Sequence, residues 1–173
     1  MVDEPVAIEH WLCVAEVALR LGSVVLPVAA VEHDRAVALT SHLPHLVAAG
    51  LQAMLDAEPT RLTATLVAGS FSSATRVVRG AGRLLGAEMA WANRRATVAR
   101  IEQLVDELGR QRALLLAAEP EPIDELFGGD GADATRGEDG PVAATRPELL
   151  ALGRRGGLVT GIDVASGTVA GLA

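Results

Sequence analysis

The sequence predicts an all-α fold, a bundle of five or six helices, and three observations predict it. Half of the 173 residues are hydrophobic, yet only two are Trp, two are Phe and none is Tyr. Such a core is filled by Ala, Val and Leu, and small side chains let helices approach closely, as in bundles and interlocked dimers. From Leu84 to Leu115 the apolar positions recur at spacings of three and four, the period of a helix. Nowhere do strands and helices alternate in a βαβ pattern. The expected organisation is a helical domain over residues 1–118, a flexible acidic linker over 119–147 and a short tail over 148–173.

The first helix is expected from Val6 to Leu21, with Leu12, Ala15 and Leu19 among its apolar positions and Gly22 as the residue that ends it. Ser23 to Val31 is extended in character, and Pro27 argues against a central strand. A second helix opens at Glu32-His33-Asp34, where acidic groups suit the positive end of the helix dipole, and runs to about Asp56. Glu58-Pro59-Thr60 breaks it. A short apolar helix follows over 61–68, then a polar turn over 69–73 in which Ser70 or Ser72 is placed to cap the next element.

Leu84 to Ala117 is the longest helical pattern. Leu84, Ala87, Trp91, Arg94, Val98, Ile101, Val105, Leu108, Arg112 and Leu115 form a heptad-like seam, usual for long antiparallel or dimeric packing, and its two arginines suggest ends that are solvated or meet acidic partners. Residues 119–147 are rich in Asp, Glu, Gly and Pro and bury little. Glu148 to Arg154 reads as a short helix, and Gly156 to Ala173 as a hairpin.

Charge and cysteine usage narrow the class. The net charge is −7, and no basic run interleaved with aromatics appears, which argues against nucleic acid as a partner. All 15 basic residues are Arg. Cys13 is alone, so no intrachain disulfide forms, and a reducing compartment, the cytoplasm, is expected. No signal-peptide pattern or long apolar span is present, so no membrane partner is expected. Gly80-Ala81-Gly82 lacks the strand-before, helix-after context of a dinucleotide site, so no cofactor is expected on this chain alone.

The chain is organised around Glu32 to Val47, EHDRAVALTSHLPHLV, which holds three of the four histidines. On a helix, Asp34, Ser41 and His45 share one stripe and His42 lies beside it. Pro44 is expected to remove one helical bond and kink the helix where it presents the two histidines. Unpartnered polar groups buried in so apolar a chain would cost about 1–3 kcal/mol each. His33, Asp34, His42 and His45 are all metal-ligand types, but their spacing matches no zinc pattern, and no metal is expected. Two helical histidines satisfied by neighbouring carbonyls or carboxylates are the simpler reading of the residues by themselves.

The segment EHDRAVALTSHLPH resembles the helix that opens the C-terminal domain of prephenate and arogenate dehydrogenases. The resemblance continues through Leu46-Val47-Ala48-Ala49 and returns at Gly69-Ser70-Phe71, Thr75-Arg76 and Trp91-Ala92-Asn93-Arg94. It implies a helical dimerisation and substrate-cleft domain that forms an intertwined homodimer. It also implies tyrosine biosynthesis, by oxidative decarboxylation of prephenate to 4-hydroxyphenylpyruvate with NAD or NADP held on a separate Rossmann domain. The resemblance assigns substrate-facing duty to His45, with His42, Ser41, His33 and Asp34 lining or supporting the cleft. It assigns Arg76 to a substrate carboxylate, which a guanidinium binds through two parallel bonds. No catalytic residue falls within this chain, which is expected to be inactive alone. The pattern departs from the family at Ser72 and Ser73, where charged residues are usual, and after Thr75-Arg76. The alternative reading is a non-catalytic helical dimer that binds a partner or a small aromatic acid.

Overall fold

The computed structural model describes residues 1–2, 6–79, 82–116 and 138–172. The expected flexible linker falls largely on 119–137, which lies outside the described residues. Helices dominate. They are α1 (Ile8–Arg20), α2 (Ala30–Val37), a π-helical turn (Ala38–His42), α3 (Leu43–Asp56), α4 (Arg61–Thr65), α5 (Gly69–Ala74), a 3-10 turn (Arg76–Val78), α6 (Gly82–Ala92), α7 (Arg94–Leu116) and α8 (Arg146–Arg154). Three strands accompany them: β1 (Glu138–Ala143), β2 (Leu158–Asp163) and β3 (Thr168–Leu172). No helix among the described residues is long and apolar enough to cross a membrane.

The chain forms two compact units, residues 1–33 with 130–173, and residues 34–129. Where the sequence reads as domain, linker and tail in succession, the structure gathers the first helix with the last residues. Trp11 and Ala15 of α1 are buried with Val2, Leu149 and Leu152 of α8, and Val159 and Val169 of the sheet. Each fully buried aliphatic side chain contributes about 1.5–3 kcal/mol. The expected C-terminal hairpin is β2–β3, and β1 extends it to an antiparallel sheet of order β1-β3-β2. Val142, Val169 and Ile162 lie opposite one another across the three strands, a row of β-branched pairs that favours this register.

The connector after α1 joins the same unit. The Val159 N–H donates to the Val25 carbonyl at 2.7 Å, and Pro27 is buried. Gly22, at φ +79°, ends α1 as expected: it donates to the Leu19 carbonyl, and Ser23 donates to that of Ala18, the paired bonds of a Schellman ending. Gly156 ends α8 the same way, with Gly157 donating to the Leu152 carbonyl. In the β2–β3 turn the Asp163 carboxylate accepts from the Ala165 and Ser166 amides. The Ser166 side chain, then these amides, hold its carboxyl below the usual carboxylate range. A depressed folded pKa means this small contribution is present at neutral pH and is lost as pH falls through that value.

The helix expected over 32–56 begins two residues earlier, at Ala30, and is not uniform. Its middle widens into the π turn, in which the Leu43 N–H reaches the Ala38 carbonyl. Pro44 stands just beyond, near the start of α3. A proline ring crowds the carbonyl four residues before it, and one wide turn relieves that contact. The expected single helix from Leu84 is α6 and α7, which meet at Asn93. The 61–68 helix stops at Thr65, and the expected polar turn is α5 itself, whose cap position is Ala68 with no side-chain cap bond.

The seam of α6 and α7 faces outward. Leu84, Trp91, Val105 and Leu115 are 75%, 72%, 61% and 65% exposed. The opposite face is turned inward: Gly86 and Thr97 are buried, and Asn93, Arg100, Leu104, Glu107 and Gln111 are half-buried. Small and polar residues share the inner face with Leu104, while much of the apolar seam lies outside.

Gly153 shows how closely the first unit is packed. A Cβ at this position of α8 would lie 1.6 Å from the Pro27 carbonyl oxygen. Gly153→Ala should therefore destabilise the unit by at least about 1–3 kcal/mol, the usual cost of overpacking. Denaturant unfolding with hydrogen exchange on β2 and β3 measures this, and an unchanged midpoint would refute the close approach.

Candidate functional site

The site is built on two helical runs that cross within the second unit: the π turn with α3, and α6 with α7. Small residues are buried in both runs: Ala38 and Ala48 in the first, and Gly86, which lies against His45, in the second. This close approach brings polar side chains from the two runs within bonding distance.

His42 ends the π turn and is 7% exposed. Its Nδ1 lies 3.3 Å from Asn93 Nδ2 and 3.4 Å from Thr97 Oγ1. Asn93 Nδ2 also donates to the Asp34 backbone carbonyl at 2.7 Å. That bond fixes the amide orientation, because turning the amide over would set two oxygens against each other. The Thr97 hydroxyl lies 2.9 Å from the Asn93 carbonyl and donates to it. Asp34, His42, Asn93 and Thr97 are thus tied into one network, and no buried side-chain nitrogen or oxygen among the described residues lacks a partner.

His45, one turn further on α3, is half-buried. Its Nδ1 lies 2.8 Å from the Ser41 carbonyl. A carbonyl only accepts, so Nδ1 carries the proton and Nε2 presents a lone pair when the ring is neutral. The ring rests on Gly86, where a Cβ would stand 3.3 Å from His45 Cδ2. Ser41 serves the site through its backbone oxygen.

Arg76 opens the 3-10 turn, which packs against α3 and α6, the elements that carry His45 and Gly86. Its guanidinium is exposed. Asp34 contributes its carbonyl while its side chain is exposed; His33 is exposed and belongs to the first unit. The structure therefore ties Asp34 and His42 together through Asn93, sets Ser41 against His45, places the Arg76 turn against the same helices, and leaves His33 with the other unit.

Sequence reasoning gave no role to Asn93, Thr97 and Gly86. The available signal was their spacing, seven and four residues apart on the helix face opposite the apolar seam. Two apolar grooves flank α3: one of about 430 Å³ lined by residues such as Leu55, Leu66 and Phe71, the other of about 390 Å³ between Val47 and Met54 on α3 and Ile101 and Leu108 on α7. None of the six candidate residues lines either groove. Among the described residues no three His, Cys, Asp or Glu side chains converge as a metal site would require.

Comparison with known proteins follows the same segment. The family model described as "Prephenate dehydrogenase, dimerization domain" matches residues 29–128. A crystal structure assigned as a prephenate dehydrogenase from Corynebacterium glutamicum aligns with a TM-score of 0.62 at 30% identity, covering 69% of this chain and 38% of its own. Synechocystis arogenate dehydrogenase aligns with a TM-score of 0.65 at 27% identity, covering 72% of this chain and 46% of its own. The chain thus accounts for less than half the length of either structure. No curated protein matches the sequence.

The contact between His45 and Gly86 is open to direct test. Gly86→Leu should drive the imidazole off α6 and break its bond to Ser41, at a cost of about 1–3 kcal/mol. Nitrogen chemical shifts of the ring report the bond, and an unchanged Nδ1–H signal in the variant would refute the contact.

Proposed function

The chain belongs to the prephenate dehydrogenase dimerization-domain family, and from that premise we propose that it is the self-associating, ligand-facing part of a dehydrogenase acting on prephenate or a close relative such as arogenate. The reaction removes a hydride from the ring carbinol as carbon dioxide leaves, giving an aromatic product on the route to tyrosine. In this reading the nicotinamide cofactor, NAD or NADP, is carried by a nucleotide-binding part, whether on further polypeptide or on a separate chain.

What this chain supplies is recognition. Prephenate is a dianion, and the exposed Arg76 guanidinium has the fork geometry that pairs with a carboxylate. The observation that carries the proposal is the state of His45. Its Nδ1 is committed to the Ser41 carbonyl, so Nε2 is the atom left for a ligand, on the helix that bears the family's motif. A neutral Nε2 accepts a hydrogen bond from a hydroxyl or carboxylic acid; a protonated one pairs with an anion.

Self-association is supported by the outward seam. An apolar row along α6 and α7 with its polar face turned inward is what a second copy would cover, as knobs of one helix enter holes of another. A homodimer through this face accords with the family's description. The apolar groove between α3 and α7 is continuous with the seam at Ile101 and Leu108, and so extends the surface to be covered.

Two measurements test the reading. Leu108→Glu places a charge on the seam and should convert the dimer to monomer at micromolar concentration in sedimentation; a wild-type chain that sediments as monomer would refute self-association. In calorimetry with 4-hydroxyphenylpyruvate, His45→Ala and Arg76→Ala should each weaken binding about tenfold or more, the scale of a lost charged hydrogen bond. Equal affinity in both variants, or no binding by wild type, would instead favour a non-catalytic helical scaffold. The 173-residue chain alone should neither bind NAD nor turn over prephenate.

A further inference from the structure

We propose that Asn93 is a positioning residue that locks His42 in the tautomer opposite to that of His45. The pair, three residues apart on one helix, then presents one imidazole N–H and one imidazole lone pair at neutral charge. The inference rests on the reading of this helix as ligand-facing, and its chemistry follows from three bonds.

The Asn93 amide has two N–H groups. One is spent on the Asp34 carbonyl at 2.7 Å, which fixes the orientation of the amide. The other faces His42 Nδ1 at 3.3 Å. A proton on Nδ1 would meet that N–H head on, so Nδ1 holds the lone pair and Nε2 carries the hydrogen. Thr97 is not the determinant. Its hydroxyl proton goes to the Asn93 carbonyl at 2.9 Å, so its oxygen, 3.4 Å from Nδ1, could only accept from the ring and acts against the setting that the Asn93 N–H imposes. His45 is set the other way, since the Ser41 carbonyl accepts from its Nδ1.

The two rings owe their opposite states to partners that cannot exchange roles: an amide held by a backbone oxygen, and a backbone oxygen itself. Asn93 also ties the last turns of α2 to the junction of α6 and α7. It thereby holds both the tautomer of His42 and the position of the π turn from which the ring projects. A residue that filled space alone would do neither.

The test is long-range proton–nitrogen correlation spectroscopy on the full chain without ligand. In wild type, His42 Nδ1 should be pyridine-type and Nε2 pyrrole-type, with the reverse for His45. Thr97→Val should leave the His42 pattern unchanged. Asn93→Asp replaces the donor by an acceptor and should invert it, leaving His45 as it was. A pyrrole-type Nδ1 on wild-type His42, or an unchanged pattern in Asn93→Asp, would overturn the proposal; the wild-type spectrum decides even where the variant does not fold. Calorimetry with 4-hydroxyphenylpyruvate is the separate arm. Loss of binding there, with the tautomers as described, would sink the ligand-facing reading and leave the positioning role intact.

Discussion

Everything in the second unit depends on how closely two helical runs can approach where they cross. Gly86 lets His45 lie close against α6, and at the same crossing Asn93 spans from the Asp34 carbonyl to the His42 ring. Polar groups so placed lose water, and an unmet donor or acceptor there costs about 1–3 kcal/mol. The network at Asn93 meets that demand with few residues. It accepts a constraint in return, because each member is satisfied only in one orientation. The π turn belongs to the same arrangement: it spares Pro44 a clash and sets the phase at which His42 and His45 project.

The long helix inverts the usual order of a globular protein. Its inner face is largely polar, with Leu104 among Thr97, Arg100, Glu107 and Gln111; much of its apolar seam is exposed and suited to burial against something else. A unit arranged in this way reads poorly as a solitary monomer and well as half of an assembly, as the family's description as a dimerization domain suggests.

The helical class and the helix that bears the family's motif were legible in the sequence because each rests on periodicity or on an ordered motif; the seam's spacing was legible too, but not that it faces outward. His42 and His45 stood out since histidine is scarce here. Asn93 and Thr97 did not, because a polar residue on a helix is ordinarily solvated, and only the crossing partner shows that these two are not. The π turn was also hidden: Pro44 announces a disturbance near the histidines but does not say which hydrogen bonds will yield. Strand β1 was lost for a different reason. Its flanks are acidic and Gly-rich, and its pairing with β3 is a tertiary fact that no local pattern carries.

The first unit joins α1 to α8 and the sheet, segments far apart in sequence. During synthesis Trp11 and Ala15 emerge well before Leu149, Leu152 and Val169. Contacts between residues so distant in sequence form slowly, so α1 leaves the ribosome with its oily face uncovered and must wait for the closing hairpin. The second unit is drawn from a single stretch, residues 34–129, and is free to fold first.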